Sequence, residues 1–298
     1  MLIWAGAGIA VKEALLVFTP LTLIVLRFTL AVALMVTIGL IFRQNEILGL
    51  QRVEKKDIPL FLLGGLFQPF LYFIFETYTY DCFASPTIAE AMLSTQPVLA
   101  PIFAFALLRE RVTRNNIIGI VISTIGMLML LLVGAGDFVL GNSWGILLAF
   151  VTVSMSVSYS IILRRIPSHY SPLSIVFYVQ SFSLFLFYIL WGGAWAFTPF
   201  QPLEPLELLE PFQLLKPALS VLYLAIFASV AAFVLFCYTV RKIGVTRANV
   251  FNNVRPVFTA LIMWILMDEI LPIWKLIGIL IIIFGLFISQ KYEKNSNN

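Results

Sequence analysis

Charge is what this chain has least of: Lys, Arg, Asp and Glu make up 11% of its 298 residues, against roughly a quarter in soluble domains. With 61% hydrophobic residues and a mean hydropathy of +0.99, that scarcity excludes a water-soluble domain as the body of the molecule. Cysteine and histidine are nearly absent too, at two residues and one. Cys82 and Cys237 are expected on opposite membrane faces, and no CxxC or Cys/His grouping occurs, so neither a disulfide, a metal nor a cofactor is expected. His169 stands in a basic loop and reads as a solvated residue rather than a proton relay. No Walker sequence is present, nor HExxH, nor a histidine inside an apolar run, which argues against ATP-driven pumping and intramembrane enzyme chemistry. No basic segment followed by a small-residue cleavage motif precedes the first apolar run, so the first span is expected to stay in the mature protein.

What is present is long apolar runs. A bilayer core takes about 20 residues per spanning helix, and ten spans are predicted at 1–18, 20–42, 58–80, 84–108, 116–134, 143–163, 172–197, 217–240, 244–267 and 273–290. Little chain is left for a soluble domain. The Lys and Arg between spans divide fourteen, from Arg43 to Lys294, against two, Lys216 and Lys275. By the positive-inside rule both termini should be cytoplasmic. The formal net charge of +4 is then this bias plus contact with anionic lipid, and no nucleic-acid partner is expected.

The chain repeats itself. At a shift of 159 residues Thr87 falls on Thr246, Pro97 on Pro256, Glu110 on Glu269, Gly119 on Gly278 and Gly126 on Gly285; at a shift of 152, Lys12, Pro20 and Leu21 fall against Arg164, Pro172 and Leu173. Two units, 1–134 and 135–298, would each hold five spans. Five is odd, so the second unit must enter the membrane from the opposite side. The expected fold is all-α and integral to the membrane, ten helices in two inverted repeats around a central cavity. Inverted repeats are an architecture of secondary transporters, with the substrate site near the midplane.

Trp4 and Lys12 in the first span, "TPL" and "SPL" opening later ones, "QPV" with "LLRERVT", and "RPVF" with "MDEILP" resemble the EamA-type carriers of the drug/metabolite transporter superfamily. The likeness covers nearly the whole chain. It implies ten helices around a cavity that opens alternately to the two sides, and export of a small metabolite, such as an amino acid or related carboxylate, across a bacterial inner membrane. It does not choose among substrates. A broad multidrug exporter is the main alternative, and a non-transporting sensor or assembly protein a further one.

Candidate site residues follow from polar positions within the spans. Gln68, Tyr72 and Glu76 stand at i, i+4 and i+8, on one helix face. Glu90 precedes Pro97 in the fourth span, and the 159-residue shift sets Asn249, Asn253 and Pro256 in the ninth. Polar stripes against hydrocarbon are expensive, so these faces should line the cavity. Glu76 reads either as a structural ion pair or as the carboxylate that exchanges a proton during transport. Lys12 and Arg27 either compensate it or snorkel to the interface. Gln96 and Arg255 are repeat equivalents, each preceding its proline; Pro97 and Pro256 would break their helices near the midplane. Arg255 beside such a break could seat a carboxylate or phosphate, or pair internally with Glu90 or Glu76. Ser154 and Ser158 read as helix-packing residues, and Trp4 as part of an interfacial belt ahead of an inner-gate residue. Glycines seven apart, at 119 and 126 and at 278 and 285, suit close helix packing or a homodimer seam.

Overall fold

Proline, glycine and hydroxyl residues mark where the helices begin and end in the computed structural model of the chain. It describes residues 1–82, 89, 92–93, 95–109, 112–132, 143–197, 211–255, 257–258, 261–262 and 273–290. The described residues are helical or connecting, with no strand among them.

Helix α1 is Leu2–Ala14 and α2 is Pro20–Ile41. Pro20 opens α2 because its missing N–H is one that a helix start leaves unbonded anyway. Helix α3, Ile58–Gly65, passes through a π-helical stretch, Leu66–Leu71, into α4, Tyr72–Cys82. Inside that stretch Gln68 is extended (φ −150°, ψ 119°), and its peptide to Pro69 is cis. Helices α5 (Gln96–Leu108), α6 (Arg114–Leu132), α7 (Ser143–Arg165) and α8 (Pro172–Phe197) follow. Thr113 caps α6 reciprocally: its Oγ1 accepts from the Asn116 N–H, and Asn116 Oδ1 accepts from the Thr113 N–H. Ser171 caps α8 by accepting from the Ser174 N–H at 3.0 Å.

Helix α9, Pro211–Tyr223, passes through a second π-helical stretch, Leu224–Ala231, into α10, Ala232–Ile243. Gly244 ends α10 at φ 90°, a conformation open to glycine and costly to other residues. Helix α11, Val245–Val250, then runs into a tighter 3₁₀ turn, Phe251–Val254, ahead of Arg255. Helix α12 is Ile273–Gln290.

Among the described residues five helical stretches are long and apolar enough to cross a membrane: Pro20–Ile41, Ile58–Tyr80, Trp144–Arg165, Pro172–Gly193 and Leu214–Ile243. Gln96–Leu108 and Leu276–Ser289 are shorter apolar helices. The main core lies between α2, α4, α7, α8 and α10, where Phe28, Tyr159, Phe187 and Phe233 are buried. Aromatic edges meet faces throughout it, as for Phe28 and Phe73 at 5.0 Å.

Helices α6 and α12 pack through the glycines singled out by spacing. A Cβ on Gly126 would stand 2.8 Å from the Gly278 carbonyl, and one on Gly285 would stand 2.7 Å from that of Gly119. The two backbones therefore approach where only glycine fits, and Asn116 fastens the pair by donating to the Ser289 carbonyl at 2.7 Å. Here the four glycines serve packing within the chain.

Candidate functional site

Seven of the buried polar side chains meet in one place. Trp4 of α1, Arg27 of α2, Gln68 of the first π-helical stretch, Tyr72 and Glu76 of α4, Gln96 of α5, Ser156 of α7, and Asn252 and Arg255 beyond α11 line a single cavity. Phe73, Phe233 and Phe236 complete its wall. Its volume is about 30 Å³, room for a water or two and no larger solute. The cavity is contracted in this conformation.

The stripe predicted on one helix face does face inward. Tyr72 donates its hydroxyl to Glu76 Oε1 at 2.6 Å, and Glu76 is 7% exposed. Gln68 is as deeply buried, and its Oε1 has no hydrogen-bond partner among the described residues. A buried carbonyl oxygen left unbonded is costly, so a donor arriving in the cavity would be bound there.

Arg27 turns inward. It is 4% exposed, donates from Nε to Ser229 Oγ at 2.6 Å, and lays its guanidinium over Phe73 at 4.4 Å from the ring centroid. The field of Glu76 reaches it, as do those of Tyr72 and Tyr80. The snorkelling alternative fails for Arg27, because the π-helical stretch Leu224–Ala231 offers Ser229 as an acceptor in the interior. Gln180, fully buried on α8, steadies the same turn by donating to the Ser229 carbonyl at 2.7 Å.

Gln96 ties three helices together. Its Nε2 donates to Ser156 Oγ at 2.7 Å and to Asn249 Oδ1 at 2.6 Å, and its Oε1 accepts from Asn252 at 3.0 Å. Asn249 stands behind the cavity wall and shapes it through Gln96 and through its own bond to the Val245 carbonyl. Arg255 reaches the cavity from the end of the 3₁₀ turn and is 5% exposed. Pro97 lies in the first turn of α5, where its missing N–H interrupts no helical bond. Glu90, Pro256 and the Asn253 side chain lie outside the described residues.

Two polar wall residues, Trp4 and Ser156, escaped the sequence reading. Trp4 belongs to the interior and not to a belt: its Nε1 donates to the Ala228 carbonyl at 3.1 Å, and its ring meets Phe233 and Phe236 edge to face. Ser156 lies on the opposite face of α7 from Ser154 and Ser158. Those two bond back to their own helix, at Phe150 and Ser154, as packing serines do. The repeat held the missing signal, since the 152-residue shift carries Trp4 onto Ser156. Asn252 stands in the same asparagine-rich stretch as the expected Asn249 and Asn253.

Chemically, the wall offers two guanidinium groups, one carboxylate, a cluster of carboxamides and an aromatic flank. A group with both a donor and an anionic end would find partners for each.

Comparison with known proteins agrees with a membrane carrier. The chain is 26% identical over 285 residues to an uncharacterized transporter of Archaeoglobus fulgidus, covering 96% of this chain and 94% of that one. It is 27% identical over 248 residues to the Bacillus subtilis uncharacterized transporter YetK, covering 83% and 72%. To the Escherichia coli uncharacterized inner membrane transporter YhbE it is 27% identical over 176 residues, 55% and 53% of the two chains. A solved crystal structure shares its fold at a TM-score of 0.72 and 21% identity, over 97% of this chain and 94% of that one. The family model for EamA-like transporters matches residues 1–132 and again 143–290. This multi-pass membrane protein therefore belongs to the EamA-like transporter family.

Proposed function

We propose that the chain is a secondary active carrier that exports an amino acid or related carboxylate across the bacterial inner membrane, by proton antiport. The observation that carries this reading is the composition of the contracted cavity. Arg255 supplies a cation for the carboxylate of the solute, and the unbonded Gln68 Oε1, with Glu76 eight residues along, supplies acceptors for its ammonium. Glu76 is the coupling residue: its carboxylate is buried, and it exchanges its Tyr72 contact and its proton as the cavity opens.

The wider architecture in this reading is ten helices in two inverted five-helix units, 1–134 and 135–298. Three observations support it. The family model matches twice, at 1–132 and 143–290. The contact of Gly119 with Gly285 becomes that of Gly278 with Gly126 when the two units are exchanged by the 159-residue shift, as an axis between α6 and α12 requires. The π-helical stretches also correspond, since the shift carries Leu66–Leu71 into Leu224–Ala231. Positive charge concentrated in the connections at one end of the spans supports a cytoplasmic location for both termini. Pro97 and Pro256 then flank the midplane, where Gln96, Asn249, Asn253 and Glu90 join the substrate wall.

The aromatic flank of Trp4, Phe73, Phe233 and Phe236 favours a second reading, a broad exporter of apolar drugs. Purified protein in liposomes separates the two. Counterflow of labelled amino acids that is lost in Arg255→Ala supports the metabolite carrier. Movement of apolar cations that ignores the substitution supports the drug exporter and contradicts the first reading.

A further inference from the structure

At the basic end of the helices a second polar pocket, of about 530 Å³, opens outside the cavity and shares none of its wall. Its walls come from three segments: the α2–α3 connection, the α7–α8 connection, and the last turn of α10.

The two connections are fixed to each other. Leu173 donates its N–H to the Ile47 carbonyl at 3.0 Å, and Ser171 donates its N–H to Gln51 Oε1 at 2.6 Å. The Gln51 N–H donates to Ser174 Oγ at 2.8 Å. Tyr170 donates its hydroxyl to buried Asp57 at 2.9 Å and accepts from the Glu54 N–H at the same distance. The pocket is therefore held by hydrogen bonds whether or not a ligand is present.

Its charge is unspent. Arg241 donates to the main-chain carbonyls of Tyr170, Ser168 and Pro167, at 2.6, 2.6 and 3.4 Å. Carbonyls fix the guanidinium in place without neutralising it. Lys242 stands beside it, and the ion pairs at this end of the molecule, Glu54 with Lys56 and Glu54 with His169, involve neither cation. Glu46 is the single carboxylate lining the pocket among the described residues, and His169 adds a further cation when protonated. Among the lining residues two permanent cations, Arg241 and Lys242, stand against one carboxylate, Glu46.

The pocket stands at the ends of membrane-length helices, where a headgroup would lie. It lies where α10 ends and α8 begins; Tyr238 in its lining is an exposed large side chain, and Leu235 and Ile243 are exposed elsewhere on α10, as on a helix that meets lipid. We propose that this pocket binds a phosphate group, with Lys242 and Arg241 facing the anion, at a site separate from the transport cavity. An anionic phospholipid headgroup and free phosphate present the same chemistry, and the test distinguishes them.

The test titrates purified protein in neutral detergent with phosphatidylglycerol, phosphatidylcholine, inorganic phosphate and chloride at matched ionic strength, reading the shift in melting temperature. Lys242 is exposed, so Lys242→Gln should fold as wild type does. Phosphatidylglycerol should stabilise the wild type at lower concentration than phosphatidylcholine, and Lys242→Gln should weaken this by roughly fivefold. Glu46→Gln should strengthen it. A response to phosphatidylglycerol alone identifies a lipid site, and an equal response to inorganic phosphate identifies a soluble-anion site. Identical titrations for wild type, Lys242→Gln and Glu46→Gln, or chloride matching both phosphates, would overturn the proposal.

Discussion

The central cavity and the pocket at the basic end both hold guanidinium groups, yet they use them differently. In the cavity Arg27 is 4% exposed, stacked on Phe73, bonded to a side chain and set in the field of a buried carboxylate. In the outer pocket Arg241 is held by loop carbonyls that leave its charge uncompensated, and it faces a volume of about 530 Å³, against about 30 Å³ inside. The difference lies in what can move. Burial makes every charge in the cavity depend on its neighbours, so a change of protonation or ligand must rearrange side chains. The outer pocket, framed by hydrogen bonds between its two connections, can gain or lose an anion without repacking.

Substitutions can sharpen or break that contrast. The largest effect on stability is expected from Arg27→Met, which takes the donor from buried Ser229 Oγ and a nearby cation from the field around Glu76; a loss of about 3 kcal/mol should register in thermal unfolding. Arg27→Lys should recover part of it. Next comes Gln96→Leu, which conserves volume but strips partners from Ser156, Asn249 and Asn252 and should cost about 2 kcal/mol in the same assay. Tyr170→Phe removes the bonds to Asp57 and Glu54 and should cost about 1 kcal/mol. Its loss should appear as faster hydrogen exchange confined to residues 45–57, with transport little changed. Equal costs for Gln96→Leu and Tyr170→Phe would erase the distinction between the two regions.

The smallest effect is electrostatic. The hydrogen bond and charge of Lys56 hold the Glu54 carboxylate below its usual range. Because the folded-state value is depressed, the contribution is present above the ordinary carboxylate pKa and is lost as pH falls through the depressed one. Lys56→Gln should flatten that acid limb slightly. Glu54 is exposed, so salt should mask the change.

Much of this was legible in the sequence. Span 172–197 reappears as Pro172–Phe197, because Ser171 and Pro172 are an unambiguous helix start. Gln68, Tyr72 and Glu76 were readable from helical spacing, and Gln96 with Arg255 from the repeat. Arg27 was undecided because a long cation near a helix end has two escapes, and the choice depends on an acceptor 202 residues away. Trp4 looked interfacial because indole suits both places. The π-helical stretches left no local mark beyond Pro69 in the first, and the loop-to-loop fastening depends on tertiary packing that turn residues alone do not specify.

The most direct test of proton coupling by Glu76 is amino-acid flux in proteoliposomes with and without an imposed pH gradient, for wild type and Glu76→Gln. Gradient-driven accumulation in the wild type, with the substituted protein reduced to solute exchange that ignores pH, is the predicted result. Equal responses to the gradient in the two proteins would contradict the coupling role and leave Glu76 as a structural partner of Tyr72 and Arg27.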